Sequence, residues 1–216
     1  ALGTPCGLKT HQAYRIPEWI FECPLWQKRL FLAALFGAEL STPSTFNGYN
    51  FYAPQLNMQK LKGLEKSAKL FLKDITRLLG EFRIKTYAIK KVDGYRHKGK
   101  QGETVGFRLQ IAEKSTNLLR FFETINYEYN LQKHKEACLA AGYLKQKLKA
   151  VEIRKKARKE IRKLYQKKGD FKKLAARLIR KYNSKYVTSQ FLYHSIFAEN
   201  SHGVLRKRGN PRIAFK

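Results

Sequence analysis

The chain has 216 residues, 43% of them hydrophobic and 13% aromatic, so it can bury a core and is not a disordered basic tail. Its 45 lysines and arginines face only 16 acids, and the resulting +29 repels itself in a compact fold unless a polyanion shares the surface, which makes nucleic acid the leading partner. No apolar run approaches the roughly 20 residues that span a bilayer, which disfavours a membrane. Cys6, Cys23 and Cys138 are too scattered for a disulfide framework or a zinc site and point to an intracellular, cytoplasmic setting.

Residues 1–22 are punctuated by Gly and Pro and read as a linker. A start at Ala1, without Met, reads as a cut into a longer protein. The next stretch, KRLFLAALFGAEL from Lys28 to Leu40, is an apolar helix pattern with Pro24 near its start and one carboxylate, Glu39, at its end. A helix C-terminus is already negative, so an acid there calls for a cation. A divalent ion such as Mg²⁺, held by Glu39 and the last carbonyls, is the expected one. Ala33, Ala34 and Gly37 are small enough for a second helix to pack closely on this one.

Ser41 to Lys60 is predicted as a β-hairpin around Asn47-Gly48. Its second strand, Tyr49 to Gln59, points Leu56 and Met58 one way and Gln55, Asn57 and Gln59 the other. An amphipathic helix over Leu61 to Leu79, stopped by Gly80, is followed by strands over Phe82 to Val92 and Thr104 to Ala112, which flank a basic turn. Ser115 is expected to cap a helix through Ile125, and His134 to about Arg154 forms a long basic helix. The five histidines are dispersed, and none has a Cys or carboxylate at ligand spacing.

The motif LAALFGAEL resembles the signature of the LAGLIDADG homing endonucleases, with Leu40 where that signature has Gly. The stretches GTPCGLKTHQAYRIPEWI, VGFRLQIAEKSTNLLRFFETINYEY and KHKEACLAAGYLKQKLKAVEIRKK look like the archaeal intein-type branch, so the resemblance runs from about Gly3 to Lys156. It implies an α+β fold of αββαββα order for residues 23–150, with a saddle-shaped antiparallel sheet and helices on one face. It makes residues 1–22 the connector between two halves and this chain the second half. It also implies sequence-specific, Mg²⁺-dependent cleavage of double-stranded DNA with a second LAGLIDADG half, either upstream or in a homodimer.

On that resemblance Glu39 is the metal-binding acid. Gln59 orients solvent near the scissile phosphate, or is simply the last exposed residue of its strand. The basic residue beside the metal-bound water is Lys114 or Lys9, or both are surface lysines. The polar sheet face, Gln55, Asn57, Gln59, Lys85, Arg108 and Gln110, is suited to reading base edges, and Arg96, Lys98 and Lys100 in the basic turn to reaching phosphates.

Residues 151–200 shift to dense Lys and Arg at helical spacing. Ile153, Ala157, Ile161 and Leu164 share one face over Ile153 to Lys167, Asp170 caps a helix through Tyr182, and Val187 to Glu199 forms another. This reads as a helix-turn-helix-like module that presents Ser189 and Gln190, or as a bundle that only neutralises backbone charge. Residues 201–216 form a basic tail. The alternative to cleavage is a non-cutting DNA- or RNA-binding relative, a maturase or regulator.

Overall fold

A computed structural model describes residues 7–92, 103–166 and 169–197. The basic turn with Arg96, Lys98 and Lys100, residues 201–216, Cys6, His97 and His202 lie outside the described residues. The chain divides into two compact units, Ala1–Gly142 and Tyr143–Lys216. Among the described residues the architecture is α+β, with seven α-helices and one three-stranded antiparallel sheet.

In the first unit the expected linker is docked. A 3-10 turn, Lys9–His11, precedes a short helix α1 (Glu18–Glu22), and Ile16 and Ile20 are buried. The motif helix α2 runs over Leu25–Glu39 with Pro24 as its N-cap. Strand β1 (Gln55–Leu61) starts six residues later than the hairpin pattern suggests. The first hairpin arm is reduced to isolated bridges, Leu40 to Leu56 and Thr45 to Phe51. Pro43 and Pro54 remove ladder donors on both sides of the turn.

Helix α3 spans Glu65–Glu81 and passes through Gly80. It begins later than expected because β1 continues through Leu61 and Gly63 then turns the chain at φ +95°. The residue that ends it in the left-handed region is Arg83. The strand expected over Phe82 to Val92 shrinks to β2 (Lys90–Val92) and an isolated bridge, Thr86 to Ile111. Helix α3 runs on to Glu81, and the Asn117 side chain accepts from the Lys85 N–H at 2.8 Å and shares the Lys85 carbonyl, at 3.0 Å, with the Ala112 N–H. Strand β3 (Thr104–Gln110) lies between β1 and β2. Helix α4 (Ser115–Thr124) follows; its N-cap is Lys114, one residue before the expected Ser115, and no side chain bonds there. Three strands are therefore described where four were expected.

Three charges are buried in this unit, and one of them, Lys28 on α2, donates from Nζ to Glu81 Oε2 at 2.7 Å. Asp74 on α3 accepts from Arg15 Nε at 3.0 Å and Nη2 at 2.7 Å, which fastens the N-terminal segment. Lys60 on β1 is fully buried; its ammonium donates to the carbonyls of Lys9 and Gln12 and sits 3.7 Å from the centre of the Tyr14 ring. Burial lowers its pKa from the ordinary 10.5 to about 8.

Helix α5 (Leu131–Tyr165) merges the two basic helices expected before and after Arg154, since no Gly or Pro interrupts the chain where they meet. In the second unit, helices α6 (Phe171–Tyr182) and α7 (Ser189–Phe197) follow. Asp170 caps α6 by accepting from the Lys172 N–H at 2.9 Å. Ala157, Ile161, Ala175, Leu178, Val187, Phe191 and Leu192 form the core of this unit, with Ile153 and Leu164 packed against it. The Glu160 carboxylate, on α5, accepts from Lys181 Nζ at 2.7 Å and from the Tyr182 hydroxyl at 2.9 Å.

Two outcomes follow. A methyl group at Gly37 would lie 2.1 Å from the Glu128 carbonyl oxygen, whereas at Gly80 it meets nothing within 4 Å. Gly37→Ala is therefore expected to lower urea-unfolding stability by roughly 1–3 kcal/mol, and Gly80→Ala to raise it by up to about 1 kcal/mol. Because the folded Lys60 loses its proton near pH 8 and the unfolded one near 10.5, the unfolded state binds more protons between these values. The Lys60 contribution to stability should then rise with pH across that window and be flat below it. NMR titration of the Lys60 ε-carbon, with urea melts at matching pH, checks both.

Candidate nucleic-acid interface

The C-terminal end of α2 carries the acid on which the sequence reading centred. Lys9 Nζ donates to Glu39 Oε1 at 2.9 Å, and that hydrogen bond and charge raise the Lys9 pKa. The carbonyls below it are also engaged. Lys133 Nζ donates to the Gly37 oxygen at 3.0 Å and the Leu40 oxygen at 2.8 Å, and Asn130 Nδ2 reaches the Gly37 oxygen at 3.1 Å.

The positions in which a divalent cation was expected thus hold lysine ammonium groups. No group of three His, Cys, Asp or Glu side chains able to hold a metal exists among the described residues. One carboxylate already paired to Lys9, above carbonyls already capped by Lys133, is a poor donor set for Mg²⁺. The expected helix interface is corrected too. Ala33 and Gly37 are buried against this chain's own 125–130 segment, with the Glu128 N–H donating to the Ala33 oxygen at 2.9 Å, and only Ala34 is half-exposed.

Beside this end lies a cavity of about 320 Å³ whose lining includes Lys9, Tyr14, Glu39, Asn57 and Gln59. The structure brings Lys9, Glu39 and Gln59 together there; Lys114, exposed at the start of α4, is not in the lining. The Gln59 Oε1 atom is buried without a hydrogen-bond partner among the described residues.

The polar sheet face forms through register. Gln55 pairs with Gln110, Asn57 with Arg108, and Gln59 with Gly106, while Leu56, Met58, Phe107 and Leu109 fill the core. Arg108 Nε donates to Asn57 Oδ1 at 2.8 Å, so these two side chains hold each other in place. Lys85 is exposed but off the strands, and Lys90, opposite Arg108 and missed in the sequence reading, takes its place at the edge. In the second unit, Ser189 and Gln190 are exposed on the first turn of α7.

No family model and no solved structure matches the chain. It is similar to segments of larger archaeal proteins. It is 41% identical over 169 residues to the tRNA-splicing ligase RtcB of Pyrococcus furiosus, a match covering 78% of this chain and 16% of that protein. It is 33% identical over 156 residues to the DNA-directed RNA polymerase subunit Rpo1N of Methanocaldococcus jannaschii, covering 71% of this chain and 11% of the subunit. It is 31% identical over 186 residues to the Replication factor C small subunit of the same organism, covering 84% and 9%. The chain thus spans less than a fifth of the length of each.

These names overturn the endonuclease assignment. None of the three is named as a homing endonuclease, an intein or an intron product, and the ligase is named for RNA. DNA cleavage, double-stranded DNA as the partner and a second LAGLIDADG half are accordingly withdrawn. No helix among the described residues is long and apolar enough to cross a membrane.

Proposed function

We propose that this chain is an RNA-binding segment, the non-cutting alternative weighed from the sequence, which grips the RNA backbone for the chemistry of a larger protein. The observation that carries this reading is where the charge sits. From Tyr143 onward 23 lysines and arginines face four acids, a net +19 of the chain's +29 in about a third of its length. One of those acids, Glu160, is turned inward to Lys181 and Tyr182. Backbone attraction of this kind needs no base contacts. The polar sheet face, through Gln55, Asn57, Arg108 and Gln110, adds groups suited to unpaired base edges.

Similarity to proteins named as tRNA-splicing ligases supports RNA as the polymer, and an intracellular setting goes with it. A divalent cation belongs to the proposal as a companion of bound phosphates, not as an occupant of Glu39. The relatives named for transcription and replication favour a second reading, in which the segment serves nucleic acid in general and is not tied to ligation.

Fluorescence anisotropy with a labelled single-stranded RNA and a duplex DNA of equal length, in roughly 50 to 200 mM salt, separates these readings. RNA should bind more tightly than duplex DNA and weaken steeply with salt. Exchanging the exposed Lys172 and Lys173 for Gln should flatten the log–log salt slope by about 0.7 for each phosphate no longer neutralised. Equal binding of both polymers would favour the second reading, and no RNA binding at the lowest salt would overturn both.

A further inference from the structure

Helix α7 turns Phe191, Leu192 and Ser195 into the core of the second unit and leaves Ser189, Tyr193 and Phe197, spaced four apart, on its outer side. Tyr193 is 50% exposed and Phe197 41% exposed. Their ring centres lie 4.7 Å apart at a 40° tilt. Phe171 stands edge-on behind both, 5.8 Å from Tyr193 and 6.0 Å from Phe197, and Tyr165 meets Phe197 at 5.3 Å. A single exposed ring is ordinary, but two on one helix face, braced by two more, make a fixed aromatic patch.

The surroundings say what covers it. Lys172 and Lys173 follow Phe171 and are exposed, as is Lys163 two residues before Tyr165, while His194 lies beside Tyr193 at 5.9 Å. Asp170, next to Phe171, is occupied in capping α6. An aromatic patch within a surface this positive matches a ligand that carries flat rings on an anionic chain. A duplex hides its base faces in the stack, so the occupant is single-stranded.

We infer, on the reading that the chain binds RNA, that Tyr193 and Phe197 form a stacking ledge for unpaired bases of single-stranded RNA. Phe171 and Tyr165 hold the two rings in place, and the neighbouring lysines hold the phosphates.

The test uses the full chain with labelled single-stranded RNA, an RNA duplex and an abasic single strand of equal length. Tyr193→Leu combined with Phe197→Leu keeps apolar bulk against Phe171 and Tyr165, and should weaken single-strand binding at least about tenfold while leaving the salt slope and duplex affinity unchanged. The exchange Tyr193→Phe with Phe197→Tyr should retain wild-type affinity. The unmutated protein should itself bind the abasic strand at least about tenfold more weakly than the normal one, a comparison that needs no variant to fold. Equal binding of abasic and normal strands, or equal losses on single strand and duplex, would overturn the ledge and leave RNA binding intact. Failure of the unmutated chain to bind any RNA would overturn the reading beneath it.

Discussion

The first unit depends on how the negative end of α2 is neutralised. That helix is apolar on nearly every side and ends in a carboxylate above unpaired carbonyls, an arrangement that isolated in water would favour fraying. Three separate parts of the chain answer it. Lys9 arrives from the N-terminal segment, Lys133 and Asn130 from the start of α5, and the Glu128 backbone packs so closely on Gly37 that no side chain fits. The same chemistry recurs at Lys60, whose buried ammonium draws the carbonyls of Lys9 and Gln12 onto the sheet. Lysine ammonium groups thus satisfy main-chain oxygens in both places.

The second unit uses its charge differently. Its core is Ala, Leu, Ile and Phe side chains from three helices with Val187 from the turn before α7, and arginines on α5 reach inward to main-chain oxygens, Arg154 to Tyr186 at 2.7 Å and Arg162 to Ser195 at 2.9 Å. The described lysines of this unit other than the buried Lys147 are exposed, and a polyanion would relieve their mutual repulsion. An aromatic ledge in such a field supplies what phosphate contacts lack, a way to distinguish exposed bases from a closed duplex.

Much of this was legible in the residue pattern. The period-two alternation of β3 and the end of β1, the face formed by Ile153, Ala157, Ile161 and Leu164, and the Asp170 cap all follow from local rules that the tertiary structure leaves in force. What failed to show were long-range pairings. Nothing local to Asn117 announces that its amide binds the Lys85 backbone 32 residues away, and nothing near Lys133 announces that it caps a helix 93 residues back. Glu39 was singled out as the acid for a divalent ion; the partner it has in the fold is Lys9, which only folding brings to it. The buried Lys60 had no signal beyond falling at an inward position of an alternating strand.

The chain is similar to 16% of a tRNA-splicing ligase, 11% of an RNA polymerase subunit and 9% of a replication factor subunit, proteins of different names that share a segment like this one. What their names share is nucleic acid, which agrees with a segment that contributes grip. The most direct test of the account is whether Glu39 is satisfied from within. In a Mg²⁺ titration of the chain free of nucleic acid, followed by the NMR signal of the Glu39 side chain, the Lys9 pairing predicts no saturable shift. A saturable, stoichiometric shift that disappears in Glu39→Gln would contradict it.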